Sequence, residues 1–186
     1  MFEGGGVMAH ETNIFYSTFS TPIGPLTAVK HEAGVLNIAF GDEEKALTPI
    51  GLWLRRMGLN ANRLIRDDDR LADVKSQLEE YFRGNRKTFT LPLDLKGTPF
   101  QKAVWNALLE IPYGETRSYK QIALRLNMPR AVRAIGGANH DNPIPILVPC
   151  HRVIGSNGEL IGYGGGLSIK EKLLHLERRS HYLKAE

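Results

Sequence analysis

The sequence has one cysteine in 186 residues. That count excludes an intramolecular disulfide and any zinc site built from several cysteines. It fits a reducing compartment, hence a cytoplasmic protein. No apolar run approaches the roughly 18 residues that a membrane span requires, and no basic-plus-apolar leader opens the chain. There is no internal repeat and no low-complexity tract. Phe2 to Val7 contains Gly4, Gly5 and Gly6, so residues 1–10 read as a flexible tail, with Met8 as an alternative start. With 42% hydrophobic and 24% charged residues, the remainder is a globular chain with a real core.

Charge of one sign is scarce in the second half. Residues 1–97 carry 12 Lys+Arg and 13 Asp+Glu, whereas residues 98–186 carry 12 and 7. The basic excess therefore lies wholly in the C-terminal part, a weak pointer to a polyanionic partner.

The first half reads as strands followed by a helix. Thr12–Phe19, Leu26–Val29 and Val35–Phe40 have strand character, with a turn at Thr21–Pro25 and a hairpin through Glu32-Ala33-Gly34. Residues 41–66 are ambiguous: Trp53 and Leu54 suggest a helix, whereas Pro49 and Gly51 argue against a long one. Asp67–Phe82 reads as a helix with an apolar stripe at Leu71, Val74, Leu78 and Phe82, ended by Gly84. Phe89–Leu95 reads as a further strand. A composition shift near 93–98 marks a domain boundary.

The second half is mainly helical. Capping boxes are expected at Thr98–Gln101, Ser118–Gln121 and Ser168–Glu171. A helix to about Leu126, a turn at Asn127-Met128-Pro129, and a helix from about Arg130 to Asn139 have helix-turn-helix proportions. Arg130 and Arg133 fall three apart on the second of these helices. Ala131, Ala134 and Ala138 form a small-residue face, with Gly136 and Gly137 between. Two glycines inside a helix cost about 1 kcal/mol each relative to alanine. Either a neighbouring helix packs closely there, or a nucleic-acid groove approaches the backbone.

The lone cysteine sits in Pro149-Cys150-His151-Arg152-Val153. A lone cysteine is either a buried small hydrophobe or a reactive thiol. A nearby imidazole and guanidinium favour the thiolate. If this segment is extended, Cys150 and His151 point to opposite sides, so a water or a bend must link them. Glu177 could orient His151 in a relay of the triad type. A cysteine hydrolase would use the same set, but it gives no reason for the Arg133 helix. A non-catalytic DNA-binding or regulatory protein would need no cysteine.

Residues 142–153 closely resemble the active-site signature of the O6-alkylguanine-DNA alkyltransferases, the methylated-DNA–protein-cysteine methyltransferases. The resemblance continues through Gly97–Gln101, Ile111–Glu115, Ser118-Tyr119, Arg133–Ala138, Gly162–Leu167, Lys170-Glu171 and Glu177. It is looser at Thr21–Leu26 and Tyr81–Gly84. It implies an α+β protein: a ribonuclease H-like N-terminal domain over 11–96, with a small sheet and helix, then a mainly helical, winged helix-turn-helix-like domain over 97–180.

The resemblance also implies single-use DNA repair, with alkyl transfer from O6-alkylguanine to Cys150 after base flipping. His151 would be the water-mediated base, with Glu177 behind it. Asn142 would tie the active-site turn, and Tyr119 would donate to the guanine ring. Arg133 would fill the gap left by the flipped base. Arg130, Ala131, Ala134, Gly136, Gly137 and Ser118 would meet duplex DNA through its minor groove. Val148, Tyr163, Gly164 and Gly165 would line the base pocket. No cofactor and no metal are implied, and the protein would act as a monomer. Position 164 is glycine where many relatives carry a small hydroxyl or alanine, so the backbone N–H groups of 164–165 would replace that donor. Asp141 adds an acid beside the DNA-facing segment.

Overall fold

A computed structural model describes residues 12–182. The expected tail over 1–10 lies outside the described residues. The N-terminal part is built on a four-stranded sheet: β1 (Ile14–Phe19), β2 (Leu26–His31), β3 (Gly34–Phe40) and β4 (Leu64–Arg66), in the order β3-β2-β1-β4. The β1–β2 and β2–β3 pairs are antiparallel, and β4 runs parallel to β1. The β2–β3 hairpin depends on Gly34. Its φ is 147°, and a Cβ there would sit 2.5 Å from the Pro92 carbonyl oxygen. That carbonyl accepts from the Val35 amide at 2.8 Å. The strand expected over Phe89–Leu95 is absent. Only a single bridge, Val35 to Leu93, survives, because Pro92 has no N–H to continue a ladder.

The ambiguous stretch resolves into a long helix, α1 (Glu43–Arg56), with Pro49 inside it. Asp42 caps it by accepting from the Lys45 amide at 3.2 Å. Ala46, Ile50 and Leu54, four apart, bury one face with Ile14, Val29 and Leu36 of the sheet. That burial outweighs the hydrogen bond Pro49 cannot make, since Pro49 is on the exposed side. The next helix, α2 (Ala72–Phe82), starts five residues later than expected. Asp67 folds the preceding residues into a turn by accepting from the Arg70 amide at 3.0 Å. Its buried stripe is Leu71, Val74, Leu78 and Tyr81, with Tyr81 in the place expected of Phe82. It covers the other sheet face, together with Phe15, Phe19, Leu26 and Ala28.

The C-terminal part comprises α3 (Pro99–Leu109), α4 (Tyr119–Arg125), α5 (Val132–His140) and α6 (Leu167–Tyr182), with a two-residue ladder of β5 (Arg117–Ser118) and β6 (Val153–Ile154). Both capping boxes at Thr98 and Ser118 form. The third does not: α6 begins at Leu167, and the Gly166 carbonyl accepts from the amides of Ile169 and Lys170, so Ser168 lies within the first turn. Arg130 and Ala131 also fall outside their expected helix. After Pro129 the Ala131 amide closes a turn on the Met128 carbonyl at 2.9 Å, and Ala131 is the residue preceding α5. Ala138 is buried rather than on an open face, and its carbonyl accepts from the Trp105 indole at 2.7 Å. One continuous core runs from β1 and α2 through Trp105 and Tyr113 to Val148 and Leu173.

Two glycines separate close approach from mere helix cost. Gly34→Ala places a methyl against backbone at an unfavourable φ, and should cost about 2 kcal/mol or more, lowering the Tm by roughly 4–8 °C. Gly51→Ala, in α1 with nothing within 4 Å of a Cβ, should raise it, because alanine is favoured by about 0.5–1 kcal/mol in a helix. Thermal melts of the two variants check both signs.

Candidate active site

Residues 142–152 form a tight arch. Asn142 ties its base: its Oδ1 accepts from the Ile144 amide at 3.0 Å, and its Nδ2 donates to the Val148 carbonyl at 2.9 Å. Ile146 is held at φ 75° while fully buried, a strained position for a β-branched residue. The chain then bends. Cys150–Arg152 form a 3-10 turn rather than the extended run considered above, so Cys150 and His151 are displaced around a turn. Asn139 of α5 supports it from below by donating to the Cys150 carbonyl at 3.4 Å.

Beside the arch, Glu177 of α6 is fully buried. Its Oε1 accepts from Tyr81 Oη at 2.7 Å, Arg152 Nη2 at 3.0 Å and His151 Nε2 at 2.7 Å. Its Oε2 accepts from Arg152 Nε at 2.9 Å and the Gly114 amide at 3.1 Å. Burial opposes the Glu177 charge, but the hydrogen bonds and charges of His151 and Arg152 outweigh it and hold the carboxyl at about 2. Burial also lowers the His151 pKa, and Glu177 only partly offsets this, so the imidazole is neutral at pH 7. This network assigns the ring proton to Nε2. Nδ1 is then an acceptor, buried and without a hydrogen-bond partner among the described residues.

The Cys150 thiol differs from the expectation that its neighbours make it a thiolate. Burial pushes it up to about 11, against the pull of the Asn142 side chain, the Lys170 ammonium and the Tyr163 hydroxyl. The Arg152 guanidinium is committed to Glu177 and, through Nη1, to the Ile111 carbonyl at 2.6 Å. Lys170 is itself buried, its pKa brought down to about 8 by burial, and donates to the Ile161 carbonyl at 2.9 Å.

Cys150 lines a cavity of about 130 Å³ together with Asn139, Asn142, Pro145, Tyr163, Gly164 and, from β3, Ile38 and Phe40. Val148 is not in this wall. Its side chain is fully buried in the core behind the arch. Gly165 is not in the wall either: it packs on Phe40, whose ring would lie 3.0 Å from a Cβ there. Tyr119, at the start of α4, donates to the Ile161 carbonyl at 3.2 Å.

The exposed side of α5 presents Arg133, Ala134 and Gly137, with Arg130 in the turn before it and Ser118 capping α4. Among the described residues neither Arg130 nor Arg133 has an ion-pair or hydrogen-bond partner. A Cβ at Gly137 would meet nothing, and one at Gly136 only the Tyr119 ring at 4.0 Å. Packing within the protein does not require these glycines. Asp141, at the end of α5, accepts from Gln101 Nε2 at 3.1 Å.

Tyr81, Phe40 and Ile38 are site residues that the sequence reading did not single out. Tyr81 had a signal: spacings of three, four and three from Leu71 continue the stripe to it. Phe40 and Ile38 had none, since their approach to Cys150 is set by how the sheet docks on the arch.

Two family models match the chain: 6-O-methylguanine DNA methyltransferase, ribonuclease-like domain, over residues 14–95, and 6-O-methylguanine DNA methyltransferase, DNA binding domain, over residues 99–179. The constitutive methylated-DNA–protein-cysteine methyltransferase of Bacillus subtilis is 46% identical over 168 residues, covering 90% of this chain and 97% of the relative. The methylated-DNA–protein-cysteine methyltransferase of Methanosarcina acetivorans is 45% identical, covering 88% and 98%. The crystal structure of Mycobacterium tuberculosis OGT in complex with DNA superposes with a TM-score of 0.77 at 43% identity, covering 89% of this chain and 94% of that one. With matches spanning both halves at this identity, the chain belongs to the 6-O-methylguanine DNA methyltransferase family.

Proposed function

We propose that this protein repairs O6-alkylguanine in duplex DNA by transferring the alkyl group irreversibly to Cys150. The observation that carries this reading is the junction of three features. A buried cysteine lines a cavity, the imidazole of the next residue is held by a carboxylate, and the helix whose exposed face carries Arg133 and Gly137 lines the same cavity through Asn139 and His140.

The chemistry follows from the raised thiol. With the thiol pushed up to about 11 by burial, about one thiol in ten thousand is ionised at pH 7, so attack needs a base to take the thiol proton. His151 takes the thiol proton at Nδ1 through a bridging water, and Glu177 stabilises the imidazolium that forms. Sulfur attacks the alkyl carbon in line. The S–C bond forms as the C–O6 bond breaks, and its electron pair leaves with the guanine. Tyr119 turns its hydroxyl from the Ile161 carbonyl to donate its proton or a strong hydrogen bond to the departing ring, and the imidazolium proton passes to the resulting tyrosinate or guanine anion. The thioether is stable, so each molecule acts once. The protein is itself the acceptor, and no cofactor or metal enters the balance.

The lesion must leave the base stack to reach Cys150. Arg133 is placed to occupy the vacated space, and the open Gly136–Gly137 face suits the minor groove, about 6 Å wide. Arg130, Ala131, Ala134 and Ser118 flank that face. Asn142 holds the arch, and Tyr163 and Gly164 border the flipped base. We assign residues 11–96 and 97–180 as the two domains, and a monomer acting in the cytoplasm, where a single free thiol stays reduced.

Intact-mass spectrometry after mixing with O6-methylguanine duplex DNA tests the reading. The protein should gain one methyl group, on Cys150. Cys150→Ser should gain nothing yet still bind DNA, because a serine hydroxyl is un-ionised at neutral pH. No mass gain in the parent protein would leave a DNA-binding protein without transfer. Arg133→Ala should slow transfer from duplex DNA by about tenfold or more, since flipping costs a few kcal/mol. It should leave reaction with free O6-benzylguanine within about twofold, because the free base needs no flipping. Single-turnover rates on the two substrates measure this, and equal losses would make Arg133 a structural residue.

A further inference from the structure

We propose that Tyr81, carried by the N-terminal helix α2, is a positioning residue for the acceptor site, and that through its hydroxyl the N-terminal sheet unit sets the pH range of alkyl transfer. The proposal rests on the assignment of Cys150 as acceptor and His151 as base.

Three donors converge on Glu177 Oε1: Tyr81 Oη, Arg152 Nη2 and His151 Nε2. Arg152 spans both carboxylate oxygens and fixes the plane of the group. The Gly114 amide satisfies Oε2. What Tyr81 adds lies on the oxygen that faces His151, and its hydroxyl is itself 3.5 Å from His151 Nε2. A donor at that oxygen withdraws electron density from the atom to which the imidazole donates, and so limits how strongly Glu177 raises the imidazole's proton affinity. Tyr81 can only act as a donor there, because burial and the Glu177 charge keep its phenol protonated.

The other groups facing the pair are accounted for. Arg152 and Lys170 both disfavour a second positive charge on His151. Tyr113 packs edge-on against Tyr81 at 6.0 Å and lies 5.7 Å from the Arg152 guanidinium carbon. Lys87 lies over the outer face of Tyr113. The Cys150 thiol and the Tyr163 hydroxyl are uncharged at neutral pH. Of these groups only Arg152 also reaches Oε1, through Nη2, and Tyr81→Phe leaves that contact in place. His151 must be neutral to accept the thiol proton, so anything that raises its pKa moves the acidic limb of the rate profile to higher pH.

The test is the pH profile of single-turnover alkylation by free O6-benzylguanine, read by intact mass. That substrate removes DNA binding from the measurement. In Tyr81→Phe the midpoint of the acidic limb should rise by about half a unit, a threefold change in the neutral fraction at a given pH. Replacing Tyr81 with 3-fluorotyrosine keeps the ring and makes the phenol a stronger donor, so the limb should move down. This second variant holds the question open to test even if Tyr81→Phe folds poorly. An unmoved limb in both variants, with only a lower melting temperature, would make Tyr81 a packing residue and overturn the proposal. If instead the parent protein takes up no benzyl group on Cys150, the acceptor assignment fails, and the proposal falls with it for that separate reason.

Discussion

Glu177 carries a full negative charge where water does not reach, and the rest of the molecule is arranged around that fact. Desolvating a carboxylate costs several kcal/mol even after relaxation. Five hydrogen bonds from four residues offset that cost. The donors come from distant parts of the chain: Tyr81 from α2, Gly114 from the turn after α3, and His151 and Arg152 from the arch. The carboxylate itself stands on the last helix. Folding therefore assembles the site, and losing any one donor leaves part of a buried charge uncompensated. The larger of two buried clusters, which runs through Tyr81, Trp105 and Leu173, is the apolar counterpart of the same arrangement.

The same burial explains why the cysteine is kept as a thiol. An ionised thiolate would need strong partners, and the cationic groups nearby are committed elsewhere: Arg152 to Glu177, Lys170 to the Ile161 carbonyl. A protonated thiol at neutral pH is protected from adventitious oxidants and alkylators, which react with thiolate. On the proposed reading each molecule acts once, so such protection matters, and the imidazole that Glu177 orients is the base that takes the thiol proton.

Local chemistry was legible where the helix starts at the cap residue. The boxes at Thr98–Gln101 and Ser118–Gln121 form, with cap and partner three apart on one turn, whereas the same spacing at Ser168–Glu171 gives no cap because α6 already begins at Leu167. The Cys150-His151-Arg152 cluster and Glu177 were identifiable because the family pattern around them is dense. What was not legible is what tertiary burial decides. Pro49 reads as a breaker, yet it sits in a helix because Ala46, Ile50 and Leu54 gain more from the sheet than one lost hydrogen bond costs. Phe89–Leu95 reads as a strand, yet Pro92 leaves it one bridge. Arg152 reads as a thiolate-stabilising charge, and only the fold shows that Glu177 takes it.

A buried carboxylate fixes a neutral imidazole whose second nitrogen is bare, and nitrogen NMR of the histidine side chains in the unreacted protein is the decisive measurement. At pH 7 and above His151 should be predominantly neutral, with its proton on Nε2 and a strongly hydrogen-bonded resonance, while Nδ1 carries no proton. A predominantly cationic His151 at pH 7, or a proton on Nδ1 with Nε2 bare, is the opposite result and would overturn this arrangement.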